Sequence, residues 1–467
     1  MQIAITVGVV LYLVFHFWRF RIAGLLSFFA LGFTLQFMII TNFSIPWSTQ
    51  ATGVVSLVTA IPIILWAAFR SKQQDPSRIP ARYGTLILLL ALVGFGIGKW
   101  VFERTHLLPM TSYEYYKGFY WTAYWGGGIL LGAVYPLTQE RLRRLLVAFV
   151  ALGTATAVAV LVSYLSGQHD FSPFGARYSP AQRAGGLGIA LQLTVASIAV
   201  LAYGAMTGLL RPSVKRNIVL GGALGLMAIT ALITGSRTPL VVFPLALLCT
   251  LYLMGMRRSF RIFTAVFVFG LVLVLLWNLL PEVAVERLFG GAGAPRASGL
   301  GPGIAQRWDM VRKSFNVLDV APLLGRTLRV PVILESYIGE KLLDWPHNIT
   351  LEIMINLGLV GLLVWLMVLI PTTVRWLRAA RSKVPDIRVI GVPVFILFFG
   401  TFLIYHAEGG LHSTKEFWIV IGLMIAHPDI LALARHGLVQ EVPTAALYGV
   451  LPQSAGSLSQ PAGLRSQ

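Results

Sequence analysis

Charge is scarce in this sequence. Only 12% of its residues are charged, against 56% hydrophobic, and the mean hydropathy is +0.76. A soluble globular domain carries roughly a quarter charged residues, so that class is excluded. Cysteine is scarcer still. Cys249 stands alone inside an apolar run, which excludes an intramolecular disulfide and argues against metal–thiolate chemistry. Acidic residues are also few, 18 against 37 Lys and Arg, for a formal net charge of +19. Residues 1–18 lack a basic start and a small-residue cleavage site, so they read as a retained helix and not a cleavable signal.

What is abundant is unbroken apolar sequence. Runs of about 17–25 residues rich in Leu, Ile, Val, Ala, Phe and Gly match the length of a membrane-crossing helix. They do not alternate polar with apolar residues, which a transmembrane barrel requires. The expected fold class is therefore all-α, a polytopic membrane bundle of about 12–13 transmembrane helices. Candidate spans are 2–18, 22–40, 51–69, 84–102, 119–136, 145–165, 185–209, 218–235, 239–256, 262–280, 349–370, 390–406 and 417–434.

The loops between spans fall into two alternating sets. One is basic: Arg19 and Arg21; Arg70, Lys72, Arg78 and Arg82; Arg141, Arg143 and Arg144; Arg211, Lys215 and Arg216; Arg257, Arg258 and Arg261; Arg375, Arg378, Arg381 and Lys383. The other, 41–50, 103–118, 166–184 and 407–416, is not. Lys and Arg gather in short cytoplasmic loops, so the first set is expected inside, with the N-terminus outside and the C-terminus in the cytoplasm. The same rule accounts for the net charge, so membrane lipids and no nucleic acid are the expected surroundings.

Residues 281–348 form a long polar stretch that this topology places outside. It opens with a Gly- and Pro-rich piece, continues through a helix-like segment at 304–316, and carries Trp308, Phe315, Tyr337 and Trp345. Loops this long are usually functional or disordered, and the aromatics favour an ordered lid. Residues 437–467, rich in Pro, Ser, Gly and Gln, read as a disordered cytoplasmic tail. There is no internal sequence repeat, which weighs against transporters built from inverted repeats.

Three short elements could carry chemistry. Gly235-Ser236-Arg237 interrupts two apolar runs. It is either an interfacial turn with a snorkelling arginine or a cavity-facing guanidinium that holds an anion such as phosphate. Arg307-Trp308 is either a solvated helix face or a second anion ligand beside an apolar, sugar-stacking wall. Pro346-His347-Asn348, with Glu352 four residues on, enters a span from outside. Asn348 is a natural N-cap, and His347 either hydrogen-bonds the loop or accepts a proton near pH 7. His406 and His412 are alternative external bases.

Taken in order, these elements resemble the O-antigen ligase and O-antigen polymerase family. That family has a Gly-Ser-Arg step between two spans, an Arg-Trp-like element in a long periplasmic loop, and a His-Asn/Ser-x-x-Leu-Glu/Gln helix start followed by Gly-x-x-Gly. Here these are Gly235-Ser236-Arg237, Arg307-Trp308, and His347-Asn348 through Leu351-Glu352 with Gly358 and Gly361. The stretch from Phe417-Trp418 to Gly422 is similar to the family's last span. The similarity covers about 180–425, and the first five spans match only as generic membrane helices. Two departures stand out. Arg183-Ala-Gly185-Gly186 lacks the Pro-Asn that follows in the family, and Asn356 stands where many members have an acidic residue.

The resemblance implies a glycosyltransferase-C-like bundle whose cavity opens to the periplasm. It divides the chain into N-terminal helices (1–180), a ligase-like domain (181–436) and the tail (437–467). It implies transfer of a glycan from undecaprenyl diphosphate to a hydroxyl of lipid A–core, a growing glycan or a protein. It also implies a location in the bacterial inner membrane. Arg237 and Arg307 would bind the diphosphate and His347 would act as base, supported by Ser236, Trp308, Asn348, Glu352 and Arg183. No cofactor and no metal are expected, because the external Glu103, Glu114, Asp170 and Glu408 are scattered among different loops. A transporter or flippase for lipid-linked glycans is the competing reading. It explains the helices and buried arginines, but poorly explains the long loop and the Pro-His-Asn step.

Overall fold

The structure is a computed structural model. It describes residues 2–32, 34–35, 84–107, 121–166, 171–172, 177–178, 186–210, 213–234, 236, 238–255, 311–312, 314–315, 321–325, 348–407 and 415–427. The architecture is all-α. In chain order the helices are α1 (Gln2–Phe20), α2 (Ile22–Leu31), α3 (Gly84–Leu107), a π-helical turn (Trp121–Gly126) running into α4 (Gly127–Val134), α5 (Gln139–Leu165), α6 (Gly186–Leu210), α7 (Val214–Ile233), α8 (Thr238–Met254), α9 (Ile349–Ala380), α10 (Pro385–Ala407) and α11 (Lys415–Ala426). Between α5 and α6, β1 (Phe171–Ser172) and β2 (Arg177–Tyr178) pair antiparallel as a minimal hairpin.

Five of these helices, α5, α6, α7, α9 and α10, are long and apolar enough to cross a membrane, and α1, α2, α3, α4 and α8 contribute shorter apolar stretches. The chain is a multi-pass membrane protein. α6 is the most fully buried of the five and packs against α5, α7, α8 and α10. α10 in turn carries α9 on one flank, and α9 lies against α3. α4 and α11 pack closely along each other. A Cβ at Gly128 would come within 2.9 Å of the Trp418 Cβ, so the missing side chain there sets the approach, as in other membrane helix pairs.

The helix ends are finished by local chemistry. Thr138 caps α5 by accepting from the Arg141 N–H at 3.2 Å. Glu140 in its first turn pairs with Arg143 and Arg144, each at 2.9 Å. At one end of the bundle the basic residues act as C-terminal caps. Arg388 Nη2 donates to the Leu253 carbonyl of α8 at 2.7 Å, and Arg216 Nη2 donates to the Thr207 carbonyl of α6 at 3.2 Å. Cations suit the last carbonyls of a helix, where the macrodipole is negative.

Helix boundaries run past the expected spans. α9 continues to Ala380, taking in Arg375 and Arg378, which the sequence places in a loop. At 1.5 Å per residue its 32 residues measure about 48 Å, against a hydrocarbon core of about 30 Å, so its basic last turns extend beyond that core. Spans 51–69 and 262–280 lie outside the described residues. So do most of the 281–348 loop and all of the 437–467 tail.

α9 is broken within the bundle. Gly358 has φ 66° and ψ −163°, which ends the helical ladder. The gap is filled by residues 321–325, a turn of the long loop closed by Gly325 N–H donating to the Ala321 carbonyl at 3.0 Å. The Pro322 carbonyl accepts from the Leu359 N–H at 2.9 Å, and the Leu323 carbonyl from the Val360 N–H at 3.2 Å. These are the N–H groups that the break leaves without helical partners. Gly325 also has a positive φ of 64°, and the two glycines meet backbone to backbone. A Cβ at Gly358 would stand 2.6 Å from the Gly325 nitrogen, and one at Gly325 2.5 Å from the Gly358 nitrogen. Glycine is required at both positions for conformation and for space.

Candidate functional site

The best-described part of the candidate site is the start of α9. Asn348 adopts an extended conformation, with φ −143°, and caps the helix: its Oδ1 accepts from the Leu351 N–H at 3.1 Å. Its Nδ2 donates to the His406 carbonyl at 3.2 Å. The residue that follows His347 in the chain is thus fastened to the end of α10.

Two residues on, a relay of hydrogen bonds repeats that attachment. His406 Nδ1 lies 2.8 Å from the Phe402 carbonyl. A carbonyl only accepts, so Nδ1 carries the proton, and Nε2 of the neutral ring accepts from the Thr350 hydroxyl at 2.8 Å. Thr350 Oγ1 in turn accepts from Trp365 Nε1–H at 3.2 Å. The Phe402 ring stacks on the imidazole with centroids 3.8 Å apart. Both nitrogens of His406 are engaged, which makes it a structural link between α9 and α10. His412, the other alternative base, lies outside the described residues.

Glu352 is buried in the first turn of α9, and its backbone carbonyl accepts from Asn356 Nδ2 at 2.7 Å. Beside this helix start, α10 and α11 bury a polar cluster. Tyr405 donates its hydroxyl to the Glu416 carboxylate at 2.7 Å. Lys415 Nζ is buried over the rings of Tyr124 at 5.0 Å and Phe29 at 5.3 Å, both within cation–π range. In sequence this cluster shows only as the Lys415-Glu416 pair ahead of the last span, since its ring partners are remote in the chain.

Of the Gly-Ser-Arg step, Ser236 is described, and it lies in the interior. Thr234, Ser236 and Thr238, around the α7–α8 junction, are all buried. Thr234 satisfies its hydroxyl on the Ala231 carbonyl at 2.6 Å, while Ser236 Oγ has no partner among the described residues. A buried hydroxyl in that state is a group that a polar ligand or neighbouring side chain would satisfy. The helix that follows, α8, packs on α10, as does α9.

The structure therefore places Ser236, Asn348 and Glu352, all at buried or half-buried positions. Arg237, Arg307, Trp308, His347 and Arg183 lie outside the described residues. Among the described residues, no group of three or more His, Cys, Asp or Glu side chains could hold a metal ion.

Comparison with known families gives a match. Residues 222–366 fit the family model described as O-antigen ligase. The matched stretch runs from within α7 to within α9 and includes Ser236, Arg237, Arg307, Trp308, His347, Asn348 and Glu352; Arg183 falls before it. No curated protein matches the chain. Across residues 222–366 this multi-pass membrane protein is similar to the family described as O-antigen ligase.

Proposed function

We propose that the protein is a glycosyltransferase of the bacterial inner membrane. It moves a glycan from undecaprenyl diphosphate to an acceptor hydroxyl on the periplasmic side, as an O-antigen ligase or a surface-polysaccharide polymerase. The observation that carries this reading is the extent of the family match, which takes in all three chemical elements within one domain. The proposed domain division follows the same reading: helices 1–180, a ligase-like domain at 181–436 and a cytoplasmic tail at 437–467.

The chemistry asks little more than this residue set offers. As the bond from the anomeric carbon to the diphosphate oxygen breaks, negative charge collects on the leaving group. Arg237 and Arg307 are the groups to receive it, because a guanidinium fork matches phosphate oxygens and gains strength away from water. His347 takes the acceptor hydroxyl's proton as its oxygen bonds to the anomeric carbon. A single displacement inverts that carbon, and no metal takes part. The capped start of α9 supports this role for His347, since the Asn348 bonds to Leu351 and to the His406 carbonyl fix the adjoining backbone. Trp308 supplies an apolar wall, with Ser236, Glu352 and Arg183 in support. The acceptor is a hydroxyl of lipid A–core, a growing glycan or a protein.

The transporter reading has one structural feature in its favour, the broken α9, since transporters place ion sites at discontinuous helices. Here a lysine ammonium already occupies the carbonyls at that break (Lys99, below). The deciding experiment supplies purified protein with an undecaprenyl-diphosphate glycan and candidate acceptors. Release of undecaprenyl diphosphate together with a glycosylated acceptor supports the reading. Movement of the intact lipid between leaflets, with its glycan bond preserved, overturns it.

A further inference from the structure

Lys99 stands on α3, outside the matched family domain, in what reads as an ordinary apolar span. An ionisable side chain at such depth needs a partner. Its Nζ has three backbone ones: the Leu324 carbonyl, the Gly325 carbonyl at 2.6 Å and the Asn356 carbonyl at 2.9 Å. The first two belong to the inserted turn of the long loop, and the third closes the first half of α9 just before the Gly358 break. By helix rise, Asn356 lies about 12 Å along α9 from its N-cap.

The backbone account at this break then closes on both sides. The second half of α9 gives its orphan N–H groups to Pro322 and Leu323. The first half and the loop turn give carbonyl oxygens to one ammonium. Non-helical backbone at membrane depth persists only where such partners exist, and the positive charge also suits the negative end of a half-helix. Lys99 thus bonds to both the loop turn and the first half of α9.

We propose that Lys99 is a positioning residue: its ammonium clamps the long loop into the break of α9 and thereby sets the loop's catalytic groups against those at the head of that helix. The functional half of this statement rests on the glycosyltransferase reading above. In the chain, Arg307 precedes the clamped turn and His347 adjoins the Asn348 cap. Between these two residues in the chain, the turn 321–325 is held at the break of α9. Releasing the clamp frees that turn. Small displacements of reacting groups cost up to about 100-fold in rate.

The test pairs a structural readout with a kinetic one. In a Cys249→Ser background, Leu323→Cys and Val360→Cys place thiols on residues whose backbones are joined across 3.2 Å. Cross-linking with a short bis-maleimide in native membranes reports whether the turn is seated. Efficient cross-linking is expected with Lys99 and with Lys99→Arg, and a fall of several-fold with Lys99→Met. Lys99→Gln, a neutral side chain with a polar end, serves if the Met variant fails to insert. In glycan transfer, Lys99→Met or Lys99→Gln should lower kcat by about 10–100-fold with donor KM within about twofold, and Lys99→Arg should restore most of it. Unchanged cross-linking in the neutral variants overturns the clamp. Reduced cross-linking with wild-type kcat overturns the positioning role. If the wild type transfers no glycan, the functional reading falls, and the cross-linking arm still decides the clamp.

Discussion

Thr350 donates its hydroxyl to His406 Nε2 across 2.8 Å, joining the first turn of α9 to the last turn of α10. With Nδ1–H committed to the Phe402 carbonyl, the ring is a fixed link. This separates two histidines that look alike in sequence. His347→Ala should leave the protein inserted and lower transfer by about two to four orders of magnitude, the usual worth of a general base. His406→Ala should lower thermal stability while leaving the pH profile of transfer in place. In the wild type the base must be neutral, so activity should rise with pH as that base loses its proton. A profile whose rising limb survives in His347→Ala and vanishes in His406→Ala would reverse the assignment.

Gly358 and Gly325 should tolerate no side chain. Gly358→Ala demands a positive φ from an L-residue, which costs roughly 1–2 kcal/mol, and a Cβ 2.6 Å from the Gly325 nitrogen. The expected result is a clear loss of thermal stability in detergent. Gly222→Ala, in the ordinary helix α7 where an added Cβ would meet nothing within 4 Å, is the comparison. Equal stability of the two variants would show that the turn does not sit in the break.

Asn348→Ala removes the N-cap acceptor and the bond to the His406 carbonyl. Loss of such a cap costs about 0.5–2 kcal/mol, and the variant should also lose transfer activity because the backbone beside His347 is released. Asn348→Asp keeps the N-cap acceptor but loses the donor to the His406 carbonyl, so it should recover only part of the stability. A melting series of the three proteins checks the order.

Chelation should leave activity intact. The proposed scheme uses guanidinium groups where a metal-dependent transferase would use a divalent ion. Loss of transfer in a chelator, restored by adding a divalent cation, would remove that part of the scheme.

Much of the bundle is legible in the sequence because membrane helices announce themselves by apolar length. α6 was expected at 185–209 and runs Gly186–Leu210; α7 was expected at 218–235 and runs Val214–Ile233. The errors fall at the ends, where helices continue into basic sequence, as α9 does through Arg375 and Arg378. Asn348 was legible as a cap because an Asn before an apolar run has few other uses. Lys99 was not: its three partners are carbonyls remote in the chain, and backbone oxygens leave no mark in a sequence. The same holds for residues 321–325, whose place in α9 depends on two glycines meeting across the bundle. Ser236 was legible as part of a motif but not as an interior group, because burial at a turn is set by the helices around it.

The orientation is checked by a reporter enzyme fused after Arg258. The basic loops are expected inside, so a reporter active only in the cytoplasm should work there, and a periplasmic reporter should not. The opposite pattern would invert the proposed topology and put the Asn348 end of the bundle on the wrong side for a periplasmic acceptor.

The central claim is tested most directly by transfer from a purified undecaprenyl-diphosphate glycan in nanodiscs, comparing wild type with Arg237→Ala, Arg307→Ala and His347→Ala. The account predicts that the wild type releases undecaprenyl diphosphate and glycosylates an acceptor with inversion at the anomeric carbon, while all three folded variants fail. Near-normal turnover in the variants, or retention in the product, would contradict it.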